Sequence, residues 1–258
     1  MRIAVLVKQV PDTEEERSLD LQTGRVDRVS GENVADEINE RALEVALAYK
    51  DRNKGTEVVV VSMGPDSATK ALRKALSMGA DSAVHIQDDA LAAADLARTA
   101  AVLATAAKHT GFDLLLGGNE STDGRGGVLP AMVAEHLGLP HLGSLSSLDI
   151  TPGTVRGQRR VERGTLQVSA ALPAVVSVTE HVAEARFPNF KGIMTAKRKP
   201  LSVMTLGDLG IDPAFPGMAR SQVISTLARP ARQAGTKIVD QGDAGKQLAD
   251  FLTAGRLV

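Results

Sequence analysis

The stretch TEVVVVSMGPDSATKALRKALSMGAD, residues 56–81, sets the fold class. Its first eight residues form a nearly unbroken β-branched run, the pattern of a strand covered on both faces. Met63-Gly64-Pro65 breaks the run. Apolar residues then recur at Ala68, Ala71, Leu72, Ala75 and Leu76, a helical spacing, and Gly79 supplies a C-terminal stop. Strand, turn and helix within 26 residues make half of a βαβ unit.

The same alternation extends in both directions. Short aliphatic runs occur at 3–7 (IAVLV), 83–86 (AVHI) and 113–116 (DLLL), the last ending in Gly117-Gly118. Helical stripes lie between them. Ile38, Ala42, Val45, Ala46 and Tyr49 share one face over 38–51, and residues 95–109 are Ala-rich with Gly111 beyond. A further helix runs from about Gly127 through Met132 and Val133 to Leu137 and stops at Gly138. Strands alternating with helices predict an α/β fold with a parallel sheet. From Ser144 the pattern changes to strands and turns: SLSSLDI, a turn at Pro152-Gly153, a polar stretch over 156–163, TLQVSAAL and AVVSVTE. Pro173 interrupts the last pair, so edge or extension strands are expected there. Residues 202–258 are broken by Gly210, Pro213, Pro216, Gly217 and Pro230, and end in a helix near 245–253. A loose stretch of that length suits an arm lying on something else.

Composition removes whole classes of chemistry. Among 258 residues there is no cysteine and no tryptophan, with 1 Tyr and 5 Phe. Disulfides, Cys-ligated zinc, iron–sulfur clusters and thiol nucleophiles are therefore excluded. Lys plus Arg is 30 against 31 for Asp plus Glu, a net charge of −1. That balance gives no general reason to bind nucleic acid or an anionic membrane. The run 3–7 is too short for a signal-peptide core or a span, so no membrane insertion and a cytoplasmic location are expected. The five histidines share no metal-binding spacing, and Asp88-Asp89 is read as a turn.

Open parallel sheets bind ligands beyond the carboxyl ends of their strands. The most informative such end is GGNESTDGRGG, residues 117–127, which follows a strand, precedes a helix and holds five glycines. Glycines admit a ligand to the backbone, and amides at a helix start attract phosphate. The spacing fits neither G-x-G-x-x-G nor the P-loop, which removes the main support for a kinase or ordinary NTPase. Asp36-Glu37-Ile38-Asn39 stands at a helix start, as a cap or as a ligand-facing loop. Arg186 to Lys199 carries five positive charges and no acid, with Phe187 and Phe190 among them. A basic segment showing aromatics in so Phe-poor a chain points to docking of an acidic partner.

Together VKQVPDT (7–13), DEINERALEVAL (36–47), VSMGP (61–65), KALSMGAD (74–81), GNESTDGRGG (118–127), LPAVVSV (172–178) and EARFPNFKGIMTAKRK (184–199) resemble, in order, the electron transfer flavoprotein β subunits, including the FixA-type proteins. The resemblance implies a Rossmann-like, adenine nucleotide hydrolase-like body over 1–200. That body includes a β extension at about 144–180 and a recognition loop over 184–200, and 201–258 would be an arm on an α subunit. It implies a non-catalytic electron carrier. FAD would be held mainly by the α subunit, and electrons would pass from acyl-CoA or other dehydrogenases to a quinone reductase or similar acceptor.

Structural AMP would contact Leu6, Asp36, Glu37, Ile38, Asn39 and Met63. Its phosphate would sit on Gly118, Asn119, Glu120, Asp123, Gly124, Gly126, Gly127 and Val128. Partner docking would use Arg186, Phe187, Lys191, Ile193, Met194 and Lys197 around a protruding Phe190, where many members have Leu. Thr13, Arg159 and Arg160 would approach the flavin. Many members have an aromatic at the position of Thr13 and Glu at that of Arg160. GRGGVLP lacks the Thr of the bifurcating relatives' phosphate motif, which favours AMP over a second FAD. The alternative is a stand-alone adenine-nucleotide module of universal-stress type, which gives no role to the arm or the basic segment.

Overall fold

In the computed structural model, residues 1–92, 94–212, 221 and 223–258 are described. Pro213, Pro216 and Gly217, expected from sequence to break the chain, lie outside them. Contacts divide the chain into two units, Met1–Ile224 and Ser225–Val258.

The larger unit is built on one nine-stranded sheet. Its parallel centre holds β1 (Arg2–Leu6), β6 (Glu57–Met63), β7 (Ser82–Ile86) and β8 (Leu114–Gly118). Val58 to Val61 of β6 are buried on both faces, as the β-branched run requires. Four helices cover the faces: α1 (Glu37–Arg52), α2 (Thr69–Met78), α3 (Leu96–Thr110) and α4 (Leu129–Leu137). Leu43, Leu47, Leu72 and Leu76 of α1 and α2 pack with Ile3, Val5, Val58 and Leu114. Val102, Leu103 and Val133 of α3 and α4 pack on the other face with Ala4, Val59, Val61 and Leu115. The result is an α/β three-layer body. The chain steps from β1 to β6 on one side and returns to β8 on the other, so the sheet changes direction at β1.

β9 (His141–Thr151), β10 (Thr154–Val161) and β11 (Gly164–Ala171) form the antiparallel extension. The polar stretch over 156–163 is mostly strand. Val155 and Gly157 are buried, whereas Arg156, Gln158 and Arg160 face solvent. β12 (Ala174–Val178) corrects the edge-strand expectation. It runs parallel between β9 and β8, and every residue is buried. Pro173 falls in the connection before it, where no ladder hydrogen bond is lost.

Before α1, short strands β2 (Gln9–Pro11) and β5 (Asn33–Ala35) pair and bracket an excursion. The excursion carries the small hairpin of β3 (Leu19–Asp20) and β4 (Arg25–Val26). Beyond β12, the basic segment forms a short helix, α5 (Phe190–Ala196). Residues 201–204, expected in the arm, instead form β13 (Leu201–Met204), which pairs with β7 at the sheet edge. Leu206 after it is fully buried. In the smaller unit, Ser225–Val258, the described regular element is α6 (Ala244–Ala254), which has no buried residue and exposes Leu248 and Phe251.

Candidate functional site

At the carboxyl ends of β1 and β8 lies a cavity of about 640 Å³, within the size range of small-molecule pockets. Leu6, Val61, Met63 and Leu103 supply apolar walls; Asn39, Asn119, Glu120 and the glycines at 118, 124, 126 and 127 supply polar ones. Nine expected positions thus meet in one place: Leu6, Asn39, Met63, Gly118, Asn119, Glu120, Gly124, Gly126 and Gly127. Asp36, Glu37, Ile38, Asp123 and Val128 stand outside the lining.

Asp36 shows why. Its carboxylate is fully buried and caps α1, accepting from the amides of Ile38 at 3.0 Å and Asn39 at 3.4 Å. The other oxygen accepts from the Thr122 amide at 2.7 Å and its hydroxyl at 2.9 Å. Asp36 therefore ties the helix start to the 118–128 loop and shapes the cavity from behind. Asn39 accepts from the Lys8 amide at 2.8 Å, fixing the turn after β1.

The glycines make room. A β-carbon on Gly118 would lie 2.6 Å from Asn39 Nδ2 and 2.9 Å from Ile38 Cγ2. One on Gly126 would lie 3.0 Å from Leu96 Cδ1. Gly127 adopts φ +67°, where glycine is favoured. Among the described residues, the amides of Gly126, Gly127 and Val128 donate to no protein acceptor, and they lead directly into α4. Among the described residues, Asn119 Oδ1 is buried without a protein donor. Open amides at a helix start suit an anion, and the unpartnered carbonyl oxygen suits a ligand N–H or O–H. The residues present therefore fit a phosphate-bearing nucleoside.

Sequence reasoning missed Lys8 and Arg28 as lining residues. Lys8 directly follows β1, so its place at a strand end was the available signal. Arg28 comes from the excursion, and no local pattern announces it. Both pair with Asp123: Lys8 Nζ lies 2.7 Å from Oδ1, and Arg28 binds Oδ2. Ser121 Oγ lies 3.1 Å from the same Nζ. Burial alone would raise the Asp123 pKa. The Lys8 hydrogen bond and charge, the Ser121 hydrogen bond and the Arg28 charge outweigh it and hold the carboxyl well below its usual range.

The basic segment forms a second feature. Phe187, Phe190, Ile193 and Met194 are 93%, 81%, 55% and 62% exposed, the last three spaced along one face of a short helix and Phe187 in the segment before it. Its mounting is nonetheless firm. Arg186 Nε donates to Glu44 at 2.6 Å, and its Nη2 donates to Glu44 at 2.8 Å and Asp51 at 2.9 Å. Arg73 donates to the carbonyls of Ala196 at 2.8 Å and Lys199 at 3.0 Å. Lys199 Nζ donates to those of Leu76 at 2.8 Å and Ala80 at 2.5 Å. A β-carbon on Gly192 would overlap the Ser77 carbonyl oxygen of α2. Of the five cations, Arg186 and Lys199 hold the segment down. Lys191, Lys197 and Arg198 are left exposed in the same segment as the phenylalanines.

Thr13 is exposed in the turn after β2, while Arg159 is half-buried and Arg160 exposed on β10. Among the described residues, no hydrogen bond or ion pair joins Thr13 to either arginine. Burial first, and then the Arg159 charge, lower the pKa of His141. No described helix is long and apolar enough to cross a membrane.

The electron transfer flavoprotein domain family matches residues 23–209. The chain is 46% identical to the electron transfer flavoprotein subunit beta of Mycobacterium leprae, over 99% of each chain. It is 45% identical to the protein of that name from Mycobacterium tuberculosis, again over 99% of each. It is also 34% identical, over 92% of each chain, to the caffeyl-CoA reductase-Etf complex subunit CarD of Acetobacterium woodii.

Proposed function

The chain belongs to the electron transfer flavoprotein family, among its β subunits, and on that premise we propose that it pairs with an α subunit as the partner-docking, AMP-holding half of a cytoplasmic electron carrier. FAD, held mainly by the α subunit, would supply the redox chemistry. This chain binds AMP in the β1–β8 cavity as a structural ligand. It presents Phe190, with Lys191, Lys197 and Arg198 of the same segment, to acyl-CoA or other dehydrogenases, and the carrier passes electrons on to a quinone reductase or similar acceptor. The arm, with the exposed face of α6, covers the α subunit. No residue here is assigned a catalytic step.

The observation that carries this reading is the apolar face of α5, uncovered yet rigidly mounted on α1 and α2. A stand-alone nucleotide module has no use for such a surface, whereas a docking protein needs one held in place before contact. Co-expression with an α subunit should give a yellow complex containing one FAD, with AMP released on denaturation. Recovery of a second FAD instead of AMP would overturn the AMP assignment. A chain that purifies alone as a stable monomer and turns over ATP would overturn the carrier reading.

Two substitutions probe the proposed surfaces. Phe190→Ala should raise the KM for a partner dehydrogenase about tenfold or more, the scale of a lost anchor residue. FAD and AMP contents should stay at wild-type levels, and unchanged kinetics would remove Phe190 as the anchor. Arg160→Glu should lower the flavin reduction potential, because a positive charge nearby favours negative charge on a reduced flavin. Potentiometric titration of the complex reads this directly, and an unmoved potential would place Arg160 away from the flavin.

A further inference from the structure

The excursion over residues 12–32 does more than connect β2 to β5. It is pinned at three points next to residues that line the cavity. Arg17 donates to the carbonyl of Thr122 and, at 3.1 Å, to its hydroxyl. Arg28 pairs with Asp123. Arg25 Nη1 donates to the Ala92 carbonyl at 2.9 Å, in the segment leading to α3. The excursion therefore spans from the 118–128 loop to the segment before α3, and Gly24 and Arg28 line the cavity.

The charges around Asp123 are graded by depth. Its side chain is 0% exposed, whereas those of Lys8 and Arg28 are 40% and 38% exposed. The carboxylate lies behind and the two cations face outward, with the Ser121 hydroxyl beside them. Among the described residues, two acids line the cavity itself. Asp95 is engaged, accepting from the amides of Arg98 and Ser221, both at 2.9 Å. Glu120 lines the wall beside Asn119.

With a nucleotide in the cavity as proposed above, we propose that Lys8 and Arg28 clasp its phosphate and that Asp123 is the internal anion holding both cations ready for it. Because Arg28 rides on the excursion, the clasp also closes the excursion over the ligand. The nucleotide leaves when Arg28 lets go. Charge-assisted hydrogen bonds are short and strong, and one such bond accounts for about a tenfold or larger change in release rate. Lys8 and Arg28 thus act as binding residues, and Asp123 as a positioning residue that competes with the ligand.

The test uses the complex with the α subunit, loaded with isotope-labelled AMP and chased with excess unlabelled AMP. Arg28→Gln and Lys8→Gln should each release label about tenfold faster. Asp123→Asn should release it more slowly, because its cations lose their internal competitor. A merely structural ion pair predicts faster release from all three variants, since each loosens the loop. That result, or three unchanged rates, would overturn the proposal while leaving AMP binding intact. A wild-type complex that yields no AMP on denaturation overturns the nucleotide reading itself, and the clasp with it. Thermal melting of each complex checks the fold. The side chains of Arg28 and Lys8 are both part-exposed, so either variant alone carries the test if the other misfolds.

Discussion

Asp36→Ala is expected to destabilise the protein by about 3–5 kcal/mol and to empty the cavity proposed to hold AMP. Four donors converge on this fully buried carboxylate, two from α1 and two from Thr122. Loss of an N-cap alone costs about 0.5–2 kcal/mol. Each buried donor left without a partner adds about 1–3 kcal/mol, and the Thr122 amide and hydroxyl are both stranded. A typical domain holds only about 5–15 kcal/mol in total, so the variant should melt well below the wild type. The cavity should fail as well, because Thr122 is the point that fastens the 118–128 loop to α1. Asp36→Asn separates the two roles. Its carbonyl oxygen can still cap α1, but its amide turns a donor toward Thr122. It should keep much of the stability and still lose AMP. Urea unfolding with nucleotide analysis of the purified complex reads both effects. Wild-type melting and full AMP content in Asp36→Ala would show that the loop holds its shape without this carboxylate.

The second large effect is expected from adding one methyl group. Gly192→Ala removes nothing from the docking surface, yet its new β-carbon would overlap the Ser77 carbonyl oxygen. That oxygen belongs to the backbone of α2 and cannot swing aside. The short helix must lift instead, disturbing the Asn189 cap, whose side chain accepts from the Gly192 amide at 2.7 Å. Overpacking of this kind costs about 1–3 kcal/mol, here confined to one exposed helix. Global melting should therefore shift little, while the KM for a partner dehydrogenase should rise by about tenfold or more as Phe190 leaves its position. Hydrogen exchange adds a local readout: the Ile193 amide, bonded to the Asn189 carbonyl, should lose protection. Wild-type kinetics and exchange would mean that α5 need not sit against α2 for docking.

The α/β body was legible because its strands and helices carry local patterns. β6 is a β-branched run, α2 a 3.6-residue stripe ending at Gly79, and the loop of residues 117–127 announces itself by glycine. What was not legible depends on distant pairing. β12 reads as an ordinary short strand, and only the sheet order shows it buried between β8 and β9. β13 is four residues with two facing solvent, too short for any periodicity. The charges of the basic segment all looked alike in sequence. Arg186 finds Glu44 from 142 residues away, which separates a mounting charge from a docking charge. The site shows the same division. Its glycine loop was visible, and nine of the expected residues line one cavity. Arg28 was hidden because an excursion's direction is set by what it lands on.

The edge strand β13 bears on how the protein is made. The docking segment lies between β12 and β13 in the chain, and the last bond that seats it, from Lys199, comes just before that strand. Synthesis runs from the amino terminus, so the phenylalanines leave the ribosome before the strand that closes the sheet beside β7. A chain that stops short of Lys199 lacks the bonds from its ammonium to the Leu76 and Ala80 carbonyls. If the segment docks dehydrogenases as proposed, copies that end before Lys199 are expected to present its phenylalanines on a less firmly held segment.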